Sequence, residues 1–405
     1  MKLYDDLMWR GLIKDTAGED LEEILNGEPI TFYWGTDPTA DSLHIGHYSS
    51  LVTAKRLANY GHHPILLCGG ATGRIGDPRP TAEREILDYD TINNNIKGIR
   101  SQIERLFEGK AELVDNYDWT KDYSFLEFLR DIGKYVNINY MINKDIISRR
   151  LETGITYAEF SYMLLQGYDF LHLYQEKNCI MQVEGSDQWG NITTGIDLIR
   201  KKLGKEAYAF TMPLILDATG NKFGKSEGNA LWLDKNKTSP YQIYQYLINA
   251  DDSKVFEYLK VFTFLSKEEI EKVMEQQNKE PEKRIAQKTL AYEVVKDIHS
   301  KEDADSAVKI SEALFTGNVK DLTDDEIEVA FKGVPTFDSK EDILINVLVD
   351  NKIASSRREA REFLNANAIT LDGEIANDEN MNITSDKKYH IIRRGKKKYY
   401  LIKMN

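Results

Sequence analysis

Five short apolar runs constrain this chain more than any other feature: ITFYW near residue 32, PILLCGG near 67, AELVDN near 113, CIMQVEG near 181 and FTMPLIL near 212. Longer segments with apolar residues every three or four positions separate them, so strand-length and helix-length signals alternate. Such alternation predicts an α/β fold, an open, Rossmann-like doubly wound, mostly parallel sheet with helices on both faces. Ligands of such sheets bind beyond the carboxyl ends of the strands, so the loops after these runs are where chemistry is expected. From about Ser239 to Phe315 the strand signal gives way to successive amphipathic helices. The stretch around 316–339 is weakly periodic, and the remainder combines helical patterns (EDILINVLV, SRREAREFL) with short strand-like runs. The expected organisation is a nucleotide-binding catalytic domain at 1–230, a helical domain at 231–320, a linker at 321–339 and a small α+β module at 340–405.

No apolar run approaches the roughly 18 to 20 residues that span a bilayer, and the start, MKLYDDLMWRGLIKD, lacks the basic-then-apolar order of a secretion signal. Cys68 and Cys179 are the only cysteines, which excludes a disulfide scaffold and suits a reducing compartment. A soluble cytoplasmic protein is expected. The formal net charge of −13 argues against a general polyanion binder, because non-specific nucleic-acid affinity comes from lysines and arginines neutralising phosphates. Any nucleic-acid contact is therefore local. One basic stretch exists, RRGKKKYYLIKMN from Arg393 onward.

Two of the seven histidines flank Gly46 in GTDPTADSLHIGH, between the first strand and the helical pattern GHYSSLVTAKRLANYG. Gly46 and His47 thus fall at a helix N-terminus, where free backbone N–H groups and the helix dipole attract anions. The tetrapeptide alone is equally compatible with a helix capped by Asp41 or Ser42 and with histidines of no special role. In DATGNKFGKSEGN, Lys222 and Lys225 lie on a short glycine-flanked segment that can bring positive charge to a phosphate. It fails the Walker A pattern, since Thr219 occupies the place of the required glycine. Alone, this loop reads as a solvated turn.

Together, H-I-G-H after the first strand and K-F-G-K-S after the last resemble the paired signatures of the class I aminoacyl-tRNA synthetases. YWGTDPTADSLHIGH, GGATGRIGDP, NYDW, SYMLLQGYDFLHLYQ and QVEGSDQWGNI are similar to the bacterial tyrosyl-tRNA synthetase family, from the N-terminal helix to the C-terminal module. The resemblance implies activation of L-tyrosine with ATP, then transfer of the tyrosyl group to tRNA(Tyr). It assigns catalytic roles to Thr39, His44, His47, Lys222 and Lys225, around the phosphates. Tyr33 and Asp169 meet the substrate phenol, Asp77, Tyr162 and Gln166 meet the α-ammonium, and Gln182 and Gln188 match further pocket positions. Tyr162, Gln166 and Asp169 recur at i, i+4 and i+7, which independently puts them on one helical face. Gly35, Asp37, Gly46, Gly185, Asp187 and Lys225 are assigned to ATP, although Asp187 could equally cap the helix of QWGNITTGIDLIRK.

Magnesium is expected to arrive with ATP, because no carboxylate or histidine cluster has metal-ligand spacing. The C-terminal module resembles an S4-type RNA-binding domain. Arg357, Arg358 and Arg361 on one helix, with Arg393, Arg394, Lys396 and Lys397, form its candidate phosphate-contacting patch, which could also be a solvated basic face. A homodimer is a family expectation; neither a membrane nor DNA is an expected partner. Three departures stand out. Trp34 replaces a small residue common in relatives, Glu184 replaces a common glycine, and GDPRPTAER is shorter and lacks a lysine that Arg79 or Arg84 could replace. A tryptophanyl-tRNA synthetase, a small-molecule adenylyltransferase and a non-catalytic RNA-binding descendant are the competing readings.

Overall fold

The structure is a computed structural model. It describes the chain outside residues 79–83, 227–228, 317, 333, 384–386, 396–397 and 405, and the backbone alone at 145–146, 225–226 and 229. The chain forms two compact units, Met1–Thr238 with Ala250–Leu290, and Ser239–Asn249 with Ala291–Asn405.

The first unit is built on strands β1 (Thr16–Ala17), β2 (Thr31–Thr36), β3 (His63–Cys68), β4 (Glu112–Asp115), β5 (Cys179–Gly185) and β6 (Tyr208–Met212), in the order β1-β6-β5-β2-β3-β4. The last five are the five apolar runs, and all pair in parallel; β1 adds antiparallel to the β6 edge. The chain winds outward from β2 to β3 and β4, then returns to the other side as β5 and β6, so the order reverses between β2 and β5. Those two strands pair at Thr31–Cys179, Phe32–Met181 and Tyr33–Gln182. Beyond that point Trp34, Gly35 and Thr36 pair with β3, while Val183, Glu184 and Gly185 pair with β6. The crevice opened by this divergence is where a doubly wound sheet receives a ligand.

Side-chain alternation along the strands divides the core. Tyr33, Ile65 and Leu67 pack with Phe170, Leu171, Leu173, Leu198 and Ile199 of the helices Tyr157–Lys177 and Trp189–Leu203. Trp34 points the other way, its Nε1 donating to Ser50 Oγ (3.0 Å) on the helix Ile45–Asn59. The helices 157–177 and 189–203 meet at glycines. A Cβ on Gly167 would lie 3.3 Å from the Gly195 nitrogen, and one on Gly195 would lie 3.1 Å from the Phe170 ring. This approach brings Gln166 within hydrogen-bond reach of Asn191 (2.9 Å).

The helical stretch expected as one domain is instead divided between the units. Val255–Phe262 gives Tyr258 and Phe262 to the first unit's core beside Phe223. In the second unit Tyr241, from Pro240–Ile248, packs with Ile310, from Lys301–Thr316. Residues 321–339, expected as a linker, carry the helix Asp324–Ala330, whose Ile327 is buried in that cluster, and strand β9 (Thr336–Ser339). With β10 (Ile369–Leu371), β11 (Glu374–Ile375), β12 (Tyr389–Arg394) and β13 (Lys398–Met404), β9 completes a sheet ordered β11-β10-β12-β13-β9. The helices Leu344–Asp350 and Arg357–Asn365 pack against it through Leu344, Leu348, Ala360 and Leu364. A short amphipathic strand flanked by glycine and proline gives little periodic signal, so this joining of segments was invisible in the sequence.

Candidate active site

β2 runs out through Gly35 and Asp37 into the helix Ile45–Asn59, capped by His44 rather than by Asp41 or Ser42. The Gly46 N–H donates to His44 Nδ1 (3.1 Å), and the His44 N–H donates to His47 Nδ1 (3.2 Å). The two rings stack with centroids 3.8 Å apart. Burial, and secondarily His44, push the His47 pKa down to about 3, so this imidazole is neutral near pH 7. A neutral ring whose Nδ1 accepts a hydrogen bond carries its proton on Nε2. The turn therefore fixes both rings as Nε2–H donors when neutral, at a helix end already favourable for anions.

The KFGKS loop lies against this helix end. Gly224 has φ +88°, and a Cβ there would fall 2.2 Å from Ile45 Cγ2, so only glycine permits both the backbone turn and the approach. Phe223 is buried with its ring 4.7 Å from those of Tyr258 and Phe262. The Leu231 N–H donates to the Gly224 carbonyl, and the Ile45 N–H to the Leu231 carbonyl. Strands β7 (Lys225–Ser226) and β8 (Asn229–Ala230) form a hairpin beside it. Lys222 is exposed and lines the same cavity as His44 and His47; the side chain of Lys225 lies outside the described residues.

That cavity, of about 700 Å³, is sized for a small-molecule site. One end carries Tyr33 and Asp169, which are 1% and 2% exposed. Asp169 accepts from Asn116 Nδ2 and Trp119 Nε1, both at 2.9 Å. Burial raises its pKa to about 7 against these two hydrogen bonds. The Tyr33 hydroxyl is buried without a hydrogen-bond partner in the protein, as are both polar atoms of the Gln182 amide, across the β2–β5 pair. Buried polar groups are ordinarily satisfied; Tyr33 lines the cavity and Gln182 is its register partner on β5, so the orphaned atoms leave bonding capacity that a polar ligand at Tyr33 could take up.

A second polar group adjoins it. The Tyr162 hydroxyl donates to Asp37 Oδ2 (2.9 Å), and Asp37 Oδ1 accepts from Thr72 Oγ1 (2.7 Å). Asp77 accepts from Gln188 Nε2 (3.1 Å) and Asn191 Nδ2 (3.2 Å), and Asn191 also donates to Gln166 Oε1 (2.9 Å). Withdrawal from water raises the Asp77 pKa to about 6. Carboxylates and acceptor oxygens converging here suit a cation such as an ammonium group. Asp37, expected at the nucleotide, shares its hydrogen bonds with this group.

Thr39, Gly35, Gly46, Gly185 and Asp187 also line the cavity. Asp187 does not cap the helix Trp189–Leu203, which starts from Gln188 without a side-chain cap. Sequence reasoning assigned no role to Asn116, Trp119, Asn191 or Thr72; the signal for the first two was NYDW, which directly follows a parallel strand. Arg84 lines the cavity and its Nε donates to the Asp77 carbonyl (2.9 Å); Arg79 lies outside the described residues. Among the described residues no three His, Cys, Asp or Glu side chains could hold a metal ion, and no helix is long and apolar enough to cross a membrane.

In the second unit Arg357 donates to Asn346 Oδ1 (2.7 Å), Arg358 pairs with Glu362 (3.2 Å) and Arg361 with Glu379 (2.6 Å). The Arg358 side chain is 90% exposed, against 54% for Arg361. Arg394 donates to the Ile353 carbonyl and lies 5.3 Å over the Phe363 ring, so it is partly spent within the fold. Arg393 is half-buried, and Lys396 and Lys397 lie outside the described residues.

Comparison with known proteins agrees with this geometry. The family of class I tRNA synthetases (W and Y) matches residues 25–316, and the tyrosine–tRNA ligase SYY-like C-terminal domain matches residues 326–402. The tyrosine–tRNA ligase of Bacillus velezensis is 50% identical over an aligned length of 416 residues, covering 99% of each chain. That of Listeria monocytogenes serotype 4a is 49% identical with the same coverage. Among solved structures, a C-terminally truncated mitochondrial tyrosyl-tRNA synthetase of Aspergillus nidulans superposes with a TM-score of 0.69 at 34% identity, covering 78% of this chain and 94% of that one. Matched by this family model over most of its length and by these ligases over 99% of it, the chain belongs to the tyrosine–tRNA ligase family of class I aminoacyl-tRNA synthetases.

Proposed function

We propose that the cavity aligns the carboxylate of L-tyrosine with the α-phosphorus of ATP. The new carboxylate oxygen–phosphorus bond forms as the bond to pyrophosphate breaks, and the tyrosyl group of the adenylate then passes to the 3′ end of tRNA(Tyr). The observation that carries this reading is the trio of unsatisfied buried atoms, Tyr33 Oη and the two ends of Gln182, beside the Asp169 carboxyl. A phenol hydroxyl both donates and accepts, and so answers Asp169 and Tyr33 together. An indole N–H only donates, and the family match does not favour the tryptophanyl alternative.

The nucleophile is already ionised, so no general base is needed; alignment and stabilisation of charge on phosphorus and on departing pyrophosphate lower the barrier. Thr39, the Nε2–H groups of His44 and His47, and the ammonium groups of Lys222 and Lys225 are the donors and cations for that charge. Asp77, Tyr162, Gln166 and Gln188 hold the α-ammonium, with Asp37 orienting Tyr162. Gly35, Gly46, Gly185 and Asp187 frame the nucleotide, and magnesium enters with ATP as part of the substrate.

Arg357, Arg358 and Arg361, with Arg393, Arg394, Lys396 and Lys397, contact tRNA phosphates. A second copy of the chain is the proposed partner for Phe125, Leu126, Ile138 and Tyr157, each more than 60% exposed on the helices Phe125–Asp131, Ile138–Ile142 and Tyr157–Lys177; exposed large apolar groups are candidates for an interaction surface. Sedimentation of the purified chain as a monomer at micromolar concentration would remove the dimer. The cytoplasm, where these substrates are made and used, is the proposed location.

Pyrophosphate exchange with tyrosine, tryptophan and phenylalanine in parallel tests the reaction. Exchange is expected with tyrosine alone. Exchange favouring tryptophan, or none with any of the three, defeats the assignment.

A further inference from the structure

Glu184 is a buried carboxyl that lines the cavity where the crevice opens. It follows Gln182 on β5 by two residues, just past the point where β2 and β5 part, and is 5% exposed. Parting leaves the Gly35 N–H, on the β5 side of β2, without a strand partner. Glu184 Oε1 accepts from it at 2.5 Å. This is the only hydrogen bond of the carboxyl among the described residues, so the second oxygen is uncommitted in a side chain that lines the cavity. Asp187, on the turn after β5, lines the same cavity and lies close enough for its charge to act on Glu184.

We propose that Glu184 is a specificity-determining residue for the nucleotide, presenting its second carboxyl oxygen to the ribose of ATP while its first holds β2 through Gly35. The inference rests on the reading of the cavity as an ATP site and adds a sugar contact to it. Its electrostatics favour donation. Burial first, then the negative charges of Asp187 and Asp37, push the Glu184 pKa well above the usual carboxylate range, against the Gly35 hydrogen bond. With Oε1 accepting from Gly35, a proton held by the carboxyl sits on Oε2, the oxygen that faces the ribose. A glutamine side chain reproduces both bonds, carbonyl to Gly35 and NH₂ to the sugar; alanine reproduces neither.

The alternative is a strand clamp with no ligand contact, and deoxynucleotides separate the two. Tyrosine-dependent exchange is measured with ATP, 2′-deoxyATP and 3′-deoxyATP for the unaltered chain, Glu184→Gln and Glu184→Ala, with tyrosine binding by equilibrium dialysis as the control for folding. In Glu184→Ala the KM for ATP is expected to rise about five- to tenfold, the range of one hydrogen bond, and the preference for ATP over one deoxynucleotide to fall by the same factor. Glu184→Gln should keep that preference. Equal losses with all three nucleotides in the alanine variant, or loss of preference in the glutamine variant, overturn the proposal. So does an unaltered chain that uses both deoxynucleotides as well as ATP, a result that needs no variant. Absence of any tyrosine-dependent exchange by the unaltered chain fells the reading of the site itself; normal exchange with an unmoved ratio fells the Glu184 contact alone.

Discussion

Asp169→Ala is expected to lower kcat/KM for tyrosine in pyrophosphate exchange by roughly 10²- to 10³-fold. The substitution removes a hydrogen bond to a charged group and strands the buried N–H groups of Asn116 and Trp119, together about 3 to 4 kcal/mol. Rejection of phenylalanine by a site built for the phenol hydroxyl is an established property of this enzyme type; in the variant it should collapse, and unchanged selectivity would remove Asp169 from the phenol end. The same residue sets a pH dependence. With both oxygens facing N–H donors, Asp169 receives the phenol proton best as a carboxylate, yet its pKa is held at about 7. Tyrosine kcat/KM should therefore fall as pH drops through about 7, because that parameter reports the free enzyme's groups. Asp169→Asn should remove that limb and leave the one near 6 from Asp77. His47, at about 3, stays neutral throughout. Stability of the unliganded chain has the opposite slope. Native Asp169 keeps its proton between the ordinary carboxylate range and about 7 while the unfolded chain has lost it, so this contribution declines as pH rises through that window.

Lys225→Ala and Lys222→Ala should each slow adenylate formation by roughly 10²- to 10³-fold, about 2 to 4 kcal/mol of transition-state stabilisation, while equilibrium binding of tyrosine is unchanged. The separation follows from geometry: Lys222 and the backbone of Lys225 lie on the loop docked at Ile45 and Gly46, on a different wall from the Asp169 cluster. Single-turnover measurement of adenylate checks it. Equal weakening of tyrosine binding and of the chemical step would contradict a role confined to the phosphates.

The five parallel strands, the histidine turn and the lysine loop were legible because each is encoded within a few consecutive residues, as periodicity or as a motif. What was not legible depends on contacts between residues far apart in the chain. Asn116 reaches Asp169 across 53 positions and Asn191 reaches Asp77 across 114; no local pattern records which strand ends a sheet brings together. The alternative cap by Asp41 or Ser42 on the helix Ile45–Asn59 fails for a related reason. Asp41 and Ser42 are strong cap formers by type, but Leu43 and Leu233 pair in between through the Leu233 N–H and the Leu43 carbonyl, delaying the helix to His44. The division of the helical stretch was hidden because amphipathic helices announce an apolar face without naming the core that receives it.

The orphaned atoms of Tyr33 and Gln182 carry a consequence for folding as well as for catalysis. The native chain retains an unsettled desolvation cost at the centre of its six-stranded sheet, and under the proposed function the tyrosine bound there supplies the missing partners. At a hundredfold excess over its dissociation constant a ligand of the native state adds about 2.7 kcal/mol. On that reading the supply of one metabolite sets how tightly this interior is closed.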